Sequence, residues 1–322
     1  MKLLRLVPEK TAIAFVRHRT IAYVLSAILM VGSVGLFFAQ GLNFGIDFKG
    51  GTLIEIGTEE PADLGRIRTI LGGLGFGDVQ VQAFGAVDDV LIRVETQAVE
   101  GDARAQEIAQ NEVVNTVKQA LEEGYGGAIE YRRVEVVGPK VSGELVKAGS
   151  LAVVVAVAMM LIYIWFRFEW QFSLGAVLAL VHDVVLTLGI FSLLQLEFTL
   201  AIIAALLTII GYSMNDTVVV YDRVRENLRK FKKMDLAELL DLSINGTLSR
   251  TTMTSITTLI ALLSLYILGG EVIRGFTFAM IWGVIVGTYS SIFVAAPLLL
   301  VLGVKRDWSG LETKPANIRF AD

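Results

Sequence analysis

The sequence predicts a polytopic α-helical membrane protein with one globular α+β domain inserted between its first and second spans. Three observations carry this expectation. The chain is 54% hydrophobic and 19% charged over 322 residues, with a positive mean hydropathy, which is too apolar for an ordinary soluble protein. Six apolar segments approach the roughly 20 residues that a helix needs to cross a hydrocarbon core of about 30 Å. Between the first two, Gly41 to Lys147 turns to the mixed, alternating composition of a folded domain. Cysteine is absent and the only histidines are His18 and His182, so disulfide frameworks, thiolate chemistry and histidine-based metal clusters are excluded.

The apolar segments are Ile21 to Phe38, Leu151 to Phe166, Phe172 to Leu196, Phe198 to Tyr221, Met253 to Leu268 and Phe276 to Val304. The first lacks a small-residue cleavage site and reads as a retained anchor rather than a signal peptide. Basic residues set the orientation. Lys2, Arg5, Lys10, Arg17 and Arg19 precede the first span, Arg223 to Lys233 follow the fourth, and Lys305 and Arg306 follow the sixth. With six spans these regions share one side, so both termini are expected in the cytoplasm and the inserted domain on the far side. The division is 1–20 as cytoplasmic N-terminus, 21–39 as first span, 40–147 as inserted domain, 148–304 as a five-helix bundle with a basic connection at 222–249, and 305–322 as cytoplasmic tail.

Within the insertion, "TLIEIGT" alternates as a strand and "PADLGRIRTILGGLG" runs from a proline start to a glycine stop as a helix. "DVQVQAFG" and "VLIRVETQ" are two more strands, a long amphipathic helix begins at Asp102, and "AIEYRRVEVVG" is a closing strand. The order β-α-β-β-α-β predicts a ferredoxin-like domain. Its arginines interleave with acids as a solvated face does, so no nucleic-acid partner is expected.

The junctions to the membrane are rich in glycine. "GLNFGIDFKGGT" contributes Gly45, Gly50 and Gly51 with Asp47 and Lys49 between them, and "VGPKVSGELVKAG" contributes Gly138 and Pro139. Glycine permits backbone angles that other residues avoid and proline fixes one. Two readings stand side by side: tight turns where strands meet helices, or hinges on which the domain tilts.

Few ionisable residues interrupt the spans, and a charge there marks either function or structural pairing. His182 and Asp183 lie in "LALVHDVVLTL", Asp183 about 17 Å along its helix and so near mid-membrane. Asp216 lies in "GYSMNDTVVVYDR", about 9 Å before Asp222, in the half nearer the basic loops. Arg250 stands at the lip of the fifth span and is the partner expected for Asp216. Ser213, Asn215 and Thr217 flank Asp216, the fifth span is rich in serine and threonine from Ser249 to Thr258, and "GVIVGTYSS" gives the sixth a small-residue face through Gly283 and Gly287. A carboxylate balanced between burial and a nearby arginine can take up and release a proton. Competing readings are an interfacial Asp216, an Arg250 that snorkels to headgroups, a static ion pair, and His182 with Asp183 as structural glue.

Several blocks together resemble the SecF family of bacterial protein-export membrane subunits, in the resistance-nodulation-division (RND) superfamily: "GIDFKGGT", "VGPKVSGEL", "GYSMNDTVVVYDRVREN", "SRTTMTSITTL" and "GTYSSIFVAAPL", in that order. The resemblance implies that the six spans are half of an RND-type bundle in the bacterial inner membrane and that the inserted domain is periplasmic. It implies SecD as partner, with the SecYEG channel, SecA, YajC and a translocating preprotein in the assembly. It also implies a proton gradient as energy source, no cofactor and no metal, with Asp216 and Arg250 in a proton relay whose remaining carboxylate belongs to SecD.

Rival functions are a small-molecule or lipid exporter component of that superfamily and a translocase scaffold without ion coupling. An intramembrane aspartyl protease with Asp183 and Asp216 as its dyad is disfavoured, because neither lies in "GxGD" surroundings. No enzymatic activity is expected.

Overall fold

The computed structural model describes residues 11–77, 79–95 and 103–304. The 305–322 tail and the basic residues Lys2, Arg5, Lys10, Lys305 and Arg306 lie outside them. The chain runs through α1 (Arg19–Gln40), a strap of β1 (Asn43–Phe44) and α2 (Ile46–Lys49), and the inserted domain, whose elements are β2 (Gly51–Thr58), α3 (Leu64–Gly72), β3 (Val79–Phe84), β4 (Ala86–Val94), α4 (Ala103–Tyr125) and β5 (Ile129–Val137). It returns as α5 (Pro139–Arg167), α6 (Trp170–Leu194), β6 (Glu197–Phe198), α7 (Leu200–Lys230), α8 (Leu236–Leu268) and α9 (Arg274–Ser290), then a π-helical turn at Ser291–Ala295 and α10 (Ala296–Val301). Six helical segments are long and apolar enough to cross a membrane.

In the domain the sheet order is β3-β4-β2-β5, antiparallel throughout, which is the split β-α-β arrangement with α3 and α4 packed on one face. Ile54, Ile56, Val90 and Ile92 of the central strands and Ile67, Leu71, Val117 and Leu121 of the helices are fully buried against each other. The first helix starts later than the proline suggests. Asp63 caps it by accepting from the Arg66 amide at 3.0 Å, satisfying one of the otherwise open amides at a helix start.

Spans four and five run well beyond their apolar stretches. Most of the 222–249 connection is helical, and only Phe231–Asp235 turns. Residues 223–230 are mostly good helix formers, Arg223 pairs with Glu226 one turn on, and the Asn227 amide donates to Ser243 Oγ at 2.8 Å, locking the two extensions together. Asp235 starts α8 by accepting from the Ala237 amide. The sixth span is not one uninterrupted α-helix. The π turn precedes Pro297, which has no N–H to offer and whose ring crowds the carbonyl four residues earlier.

Small residues let the central helices approach. A Cβ at Gly283 would lie 2.3 Å from Ile209, one at Gly287 would lie 3.0 Å from Ser213, and one at Gly189 would lie 2.0 Å from Ser33. The small-residue face expected of the sixth span is therefore the seam between α9 and α7. Around α6, α7 and α9 stand α1, α5 and α8, which keep most of their apolar surface outward.

The domain is clasped to the bundle. β1 pairs with β6 in parallel, Asn43 opposite Glu197 and Phe44 opposite Phe198. Asp47 Oδ2 accepts from the Leu200 amide at 2.8 Å, capping the start of α7, and Arg93 of the sheet meets Glu197 at 2.7 Å. The junction glycines serve this packing. Gly50 and Gly51 have φ of 74° and 129°, a Cβ at Gly51 would strike the Val94 carbonyl at 2.5 Å, and one at Gly45 would strike Glu197 Oε1 at 2.6 Å. Gly138 is different: its φ is −73° and nothing lies within 3.8 Å of a Cβ there. Pro139 then occupies the first turn of α5, where a missing N–H costs nothing.

Burial pushes the Glu197 carboxyl above the usual carboxylate range, Arg93 pulls it down, and Asp47 pushes it up. Replacing Arg93 with Met removes the larger part of the downward pull, leaving that of Arg133. The variant is expected to lose about 2 kcal/mol at neutral pH, where an ionised Glu197 is left without its partner. The loss should shrink as pH falls through the Glu197 pKa and the carboxyl becomes neutral. Melting temperatures of the detergent-solubilised protein between about pH 5 and pH 8 test this. Gly283→Leu, by forcing α9 off α7, is expected to cost about 2–3 kcal/mol, read as a lower melting temperature and less folded protein in the membrane.

Candidate functional site

Two carboxylates lie inside the bundle, and both are surrounded by hydroxyl groups from neighbouring helices. Hydrocarbon offers no hydrogen bonds, so such a group takes its partners from the protein. Asp183 of α6 is 1% exposed. Its Oδ2 accepts from Ser213 Oγ of α7 at 2.5 Å and from Ser290 Oγ of α9 at 2.8 Å. Its Oδ1 lies 2.9 Å from Nδ1 of His182, so with Asp183 ionised the imidazole proton sits on Nδ1. The His182 Nε2 atom is buried and has no hydrogen-bond partner.

Asp216 of α7 lies one helical turn beyond Ser213 and is half-buried. Thr251 Oγ1 of α8 donates to its Oδ1 at 2.6 Å, and Ser291 Oγ, at the start of the π turn, donates to its Oδ2 at 2.5 Å. A second layer of hydroxyls lies one turn nearer the inserted domain. Tyr212 OH reaches Ser255 Oγ at 3.4 Å, Ser255 Oγ lies 2.7 Å from Thr288 Oγ1, and Thr288 donates to the Val284 carbonyl at 2.7 Å. Tyr212, Ser255 and Thr288 precede or follow Asp216, Thr251 and Ser291 by three or four residues, so the same three helices build both layers.

The pairing expected between Asp216 and Arg250 is not formed. Among the described residues no salt bridge joins them; Arg250 is exposed. The neighbouring Thr251 makes the contact instead, because successive residues of a helix point about 100° apart. Asn215 is likewise exposed, Thr217 is buried, and neither donates to Asp216 among the described residues. Ser213, expected beside Asp216, serves Asp183. His182 and Asp183 do meet, as the structural-glue reading required. The two carboxylates have separate sets of donors and share no hydrogen bond among the described residues, which is not the geometry of a dyad sharing a proton. Among the described residues no group of three or more His, Asp or Glu side chains is gathered to hold a metal ion.

Sequence reasoning met Thr251 only as one of the fifth span's hydroxyls, and Thr288, Ser290 and Ser291 only within the small-residue run of the sixth, and assigned none of them to a carboxylate. Their signal is a hydroxyl one residue from Arg250 and the run "TYSS" directly ahead of a helix interruption.

Comparisons with known proteins address the same segments. A family model for the C-terminal region of the protein export membrane proteins SecD/SecF matches residues 116–305, and one for the SecD/SecF GG motif matches residues 35–62, which hold the strap. The chain is 47% identical over 299 residues to protein translocase subunit SecF of Vibrio alginolyticus, covering 93% of this chain and 92% of that protein. The chain belongs to the SecF family. Against the SecF subunit of Cereibacter sphaeroides the identity is 46% over 322 residues, covering 99% of this chain and 98% of the other. The crystal structure of SecDF from Thermus thermophilus, a translocon-associated membrane protein, superposes with a TM-score of 0.79 at 35% identity. A crystal structure of SecDF in a super-membrane-facing form gives 0.64 at 36%. This SecF-family chain spans 40% of each of those SecDF chains, and it is a multi-pass membrane protein of the same architecture as that part of them.

The Asp183 network supplies a stability test. Asp183→Leu would strand the Ser213 and Ser290 hydroxyls and the His182 imidazole, and is expected to cost about 3 kcal/mol or more. Asp183→Asn keeps an oxygen for both serines and offers its NH₂ to His182 Nδ1 once the imidazole proton moves to Nε2, where that buried N–H has no partner, so its cost should be about 1–2 kcal/mol. Melting temperatures of the purified variants should rank parent, Asn, Leu.

Proposed function

We propose that this chain is the SecF half of a SecD–SecF unit in the bacterial inner membrane, and that proton movement at Asp216 is coupled to movement of the inserted domain during protein export. On this reading both termini are cytoplasmic and the domain of residues 40–147 is periplasmic. The observation that carries it is the state of Asp216. The carboxylate is held by hydroxyls of α8 and of the π turn, while Arg250 and Asn215 beside it face outward. An exposed arginine and amide in a membrane helix require a partner, and intramembrane charges pair or line a pathway. A SecD helix bearing a carboxylate supplies what this seam lacks. Family membership and the SecDF architecture support SecD as that partner.

The SecYEG channel, SecA, YajC and the translocating preprotein enter the reading through the family's role in export. Energy comes from the proton gradient, and neither a cofactor nor a bond-making step is invoked; the chain acts as a transport component. Two features support domain movement. Gly138, at the start of α5, is free of the packing that fixes Gly45 and Gly51, so it is the best-placed pivot. The two SecDF structures, nearly equal in identity to this chain, superpose on it unequally.

The test uses cells lacking the native subunit, supplied with Asp216→Asn or Arg250→Met. Preprotein export per assembled subunit should lose its stimulation by the proton gradient in both variants, by about tenfold or more, since each removes a group whose charge the relay needs. Stimulation equal to the parent's in both would favour an ion-uncoupled scaffold.

A further inference from the structure

The hydroxyls of Ser290 and Ser291 stand at one point of the backbone, where α9 gives way to the π turn, and each serves a different carboxylate. Ser290 Oγ reaches Asp183 Oδ2 at 2.8 Å and Ser291 Oγ reaches Asp216 Oδ2 at 2.5 Å. Each also has a second acceptor. Ser290 Oγ lies 3.1 Å from the Gly287 carbonyl, and Ser291 Oγ lies 3.1 Å from the Thr288 carbonyl. A serine hydroxyl has one proton to donate, so each of these can satisfy only one of its two acceptors fully at a time.

We propose that Ser290 and Ser291 are positioning residues that tie the charge state of Asp216 to Asp183 through the α9 backbone. This rests on Asp216 being the proton site. While Asp216 is ionised, the Ser291 hydroxyl donates to it. When Asp216 takes up a proton, the carboxyl becomes the donor, its O–H turns to Ser291 Oγ, and the serine proton rotates to the Thr288 carbonyl. No covalent bond in the serine breaks; one hydrogen bond reverses and another forms.

The new acceptor is a main-chain carbonyl at the point where the helix is already wound as a π turn, a geometry that needs little to shift its hydrogen-bond register. Ser290 is the preceding residue and its donor direction turns with the same backbone. Asp183 then gains or loses one of its two hydroxyl donors, with Ser213 and His182 left to hold it. The unpartnered, buried Nε2 of His182 gives the Asp183 side of the network a place to accommodate that change. Among the described residues the only salt bridge at the imidazole is that to Asp183; the ring also packs against Tyr289, at 6.0 Å, whose OH donates to the Ala22 carbonyl.

The test again uses cells lacking the native subunit, with SecD present, and reads the gradient-stimulated part of preprotein export per assembled subunit. Ser290→Ala and Ser291→Ala are each expected to reduce it about tenfold, the worth of one hydrogen bond to a charged group. The double variant should be no worse than either single one, because both act in one transmission. Ser290→Thr and Ser291→Thr, which keep the hydroxyl, should restore most of it. Ser→Cys variants, close in size to serine but weak donors, stand in where alanine variants fail to accumulate, and should fall between.

Undiminished stimulation in the Ala or Cys variants, additive losses in the double variant, or no recovery with threonine would each overturn the proposal. An Asp216→Asn arm separates this from the reading beneath it. Loss of stimulation with Asp216→Asn but not with Ser291→Ala sinks the serine coupling alone, whereas retention with Asp216→Asn sinks the proton site itself.

Discussion

A carboxylate inside hydrocarbon must be met by donors that the protein supplies, and the centre of this bundle is arranged around that requirement. Asp183 draws Ser213 from α7 and Ser290 from α9 to α6, while Asp216 draws Thr251 from α8 and Ser291 from the π turn to α7. Four helical segments are thereby fixed in rotation about their own axes, since turning any of them by one residue would swing a hydroxyl about 100° from its acceptor. Glycines make these contacts reachable. Gly287 faces Ser213 and Gly283 faces Ile209, and without that close approach the short serine side chains of α9 would not span the gap. Apolar packing fills the remaining volume without specifying which face meets which, a common division of labour in membrane bundles.

The two carboxylates differ in how finished they are. Asp183 is enclosed and satisfied on both oxygens, the condition of a structural group. Asp216 has two hydroxyl donors but sits at the outer seam of α7 and α8, beside the outward-facing Asn215 and Arg250. The arginine at the lip of the fifth span faces outward from this seam rather than into it. That contrast, rather than depth in the membrane, distinguishes Asp183 from the proposed coupling site at Asp216, and on that proposal it reverses the ranking that mid-membrane position alone would give.

How much of this was legible in the sequence follows from the kind of physics involved. Six spans, the inserted domain and its β-α-β-β-α-β order are written in hydropathy and periodicity, which are local and survive without tertiary knowledge. Asp216 stands out because a charge in an apolar run is costly. Its partners do not stand out. Arg250 and Thr251 are adjacent in sequence, and only the rotation of α8 decides which one reaches α7; opposite charge argued for the arginine and geometry selected the threonine. Ser213 is three residues from Asp216 and yet belongs to Asp183, because the neighbouring helices occupy both sides of α7. The strap was harder still. "GIDFKGG" reads as a glycine turn, while the parallel pairing of β1 with β6 and the reach of Asp47 to Leu200 join residues about 150 positions apart, a separation that no periodicity encodes.

That reach has a mechanical meaning. A helix ordinarily begins where its own preceding residue caps it, but Thr199 makes no side-chain cap at the start of α7, and the role falls to Asp47 on the strap that leads into the inserted domain. The register of α7 along the membrane normal is thus referenced to the domain rather than to the loop before it. Asp216 lies about 24 Å further down the same continuous helix. On the proposed function, a push on the domain that reaches Asp47 would be delivered axially, like a load on a piston rod, to the carboxylate at the other end of the stroke.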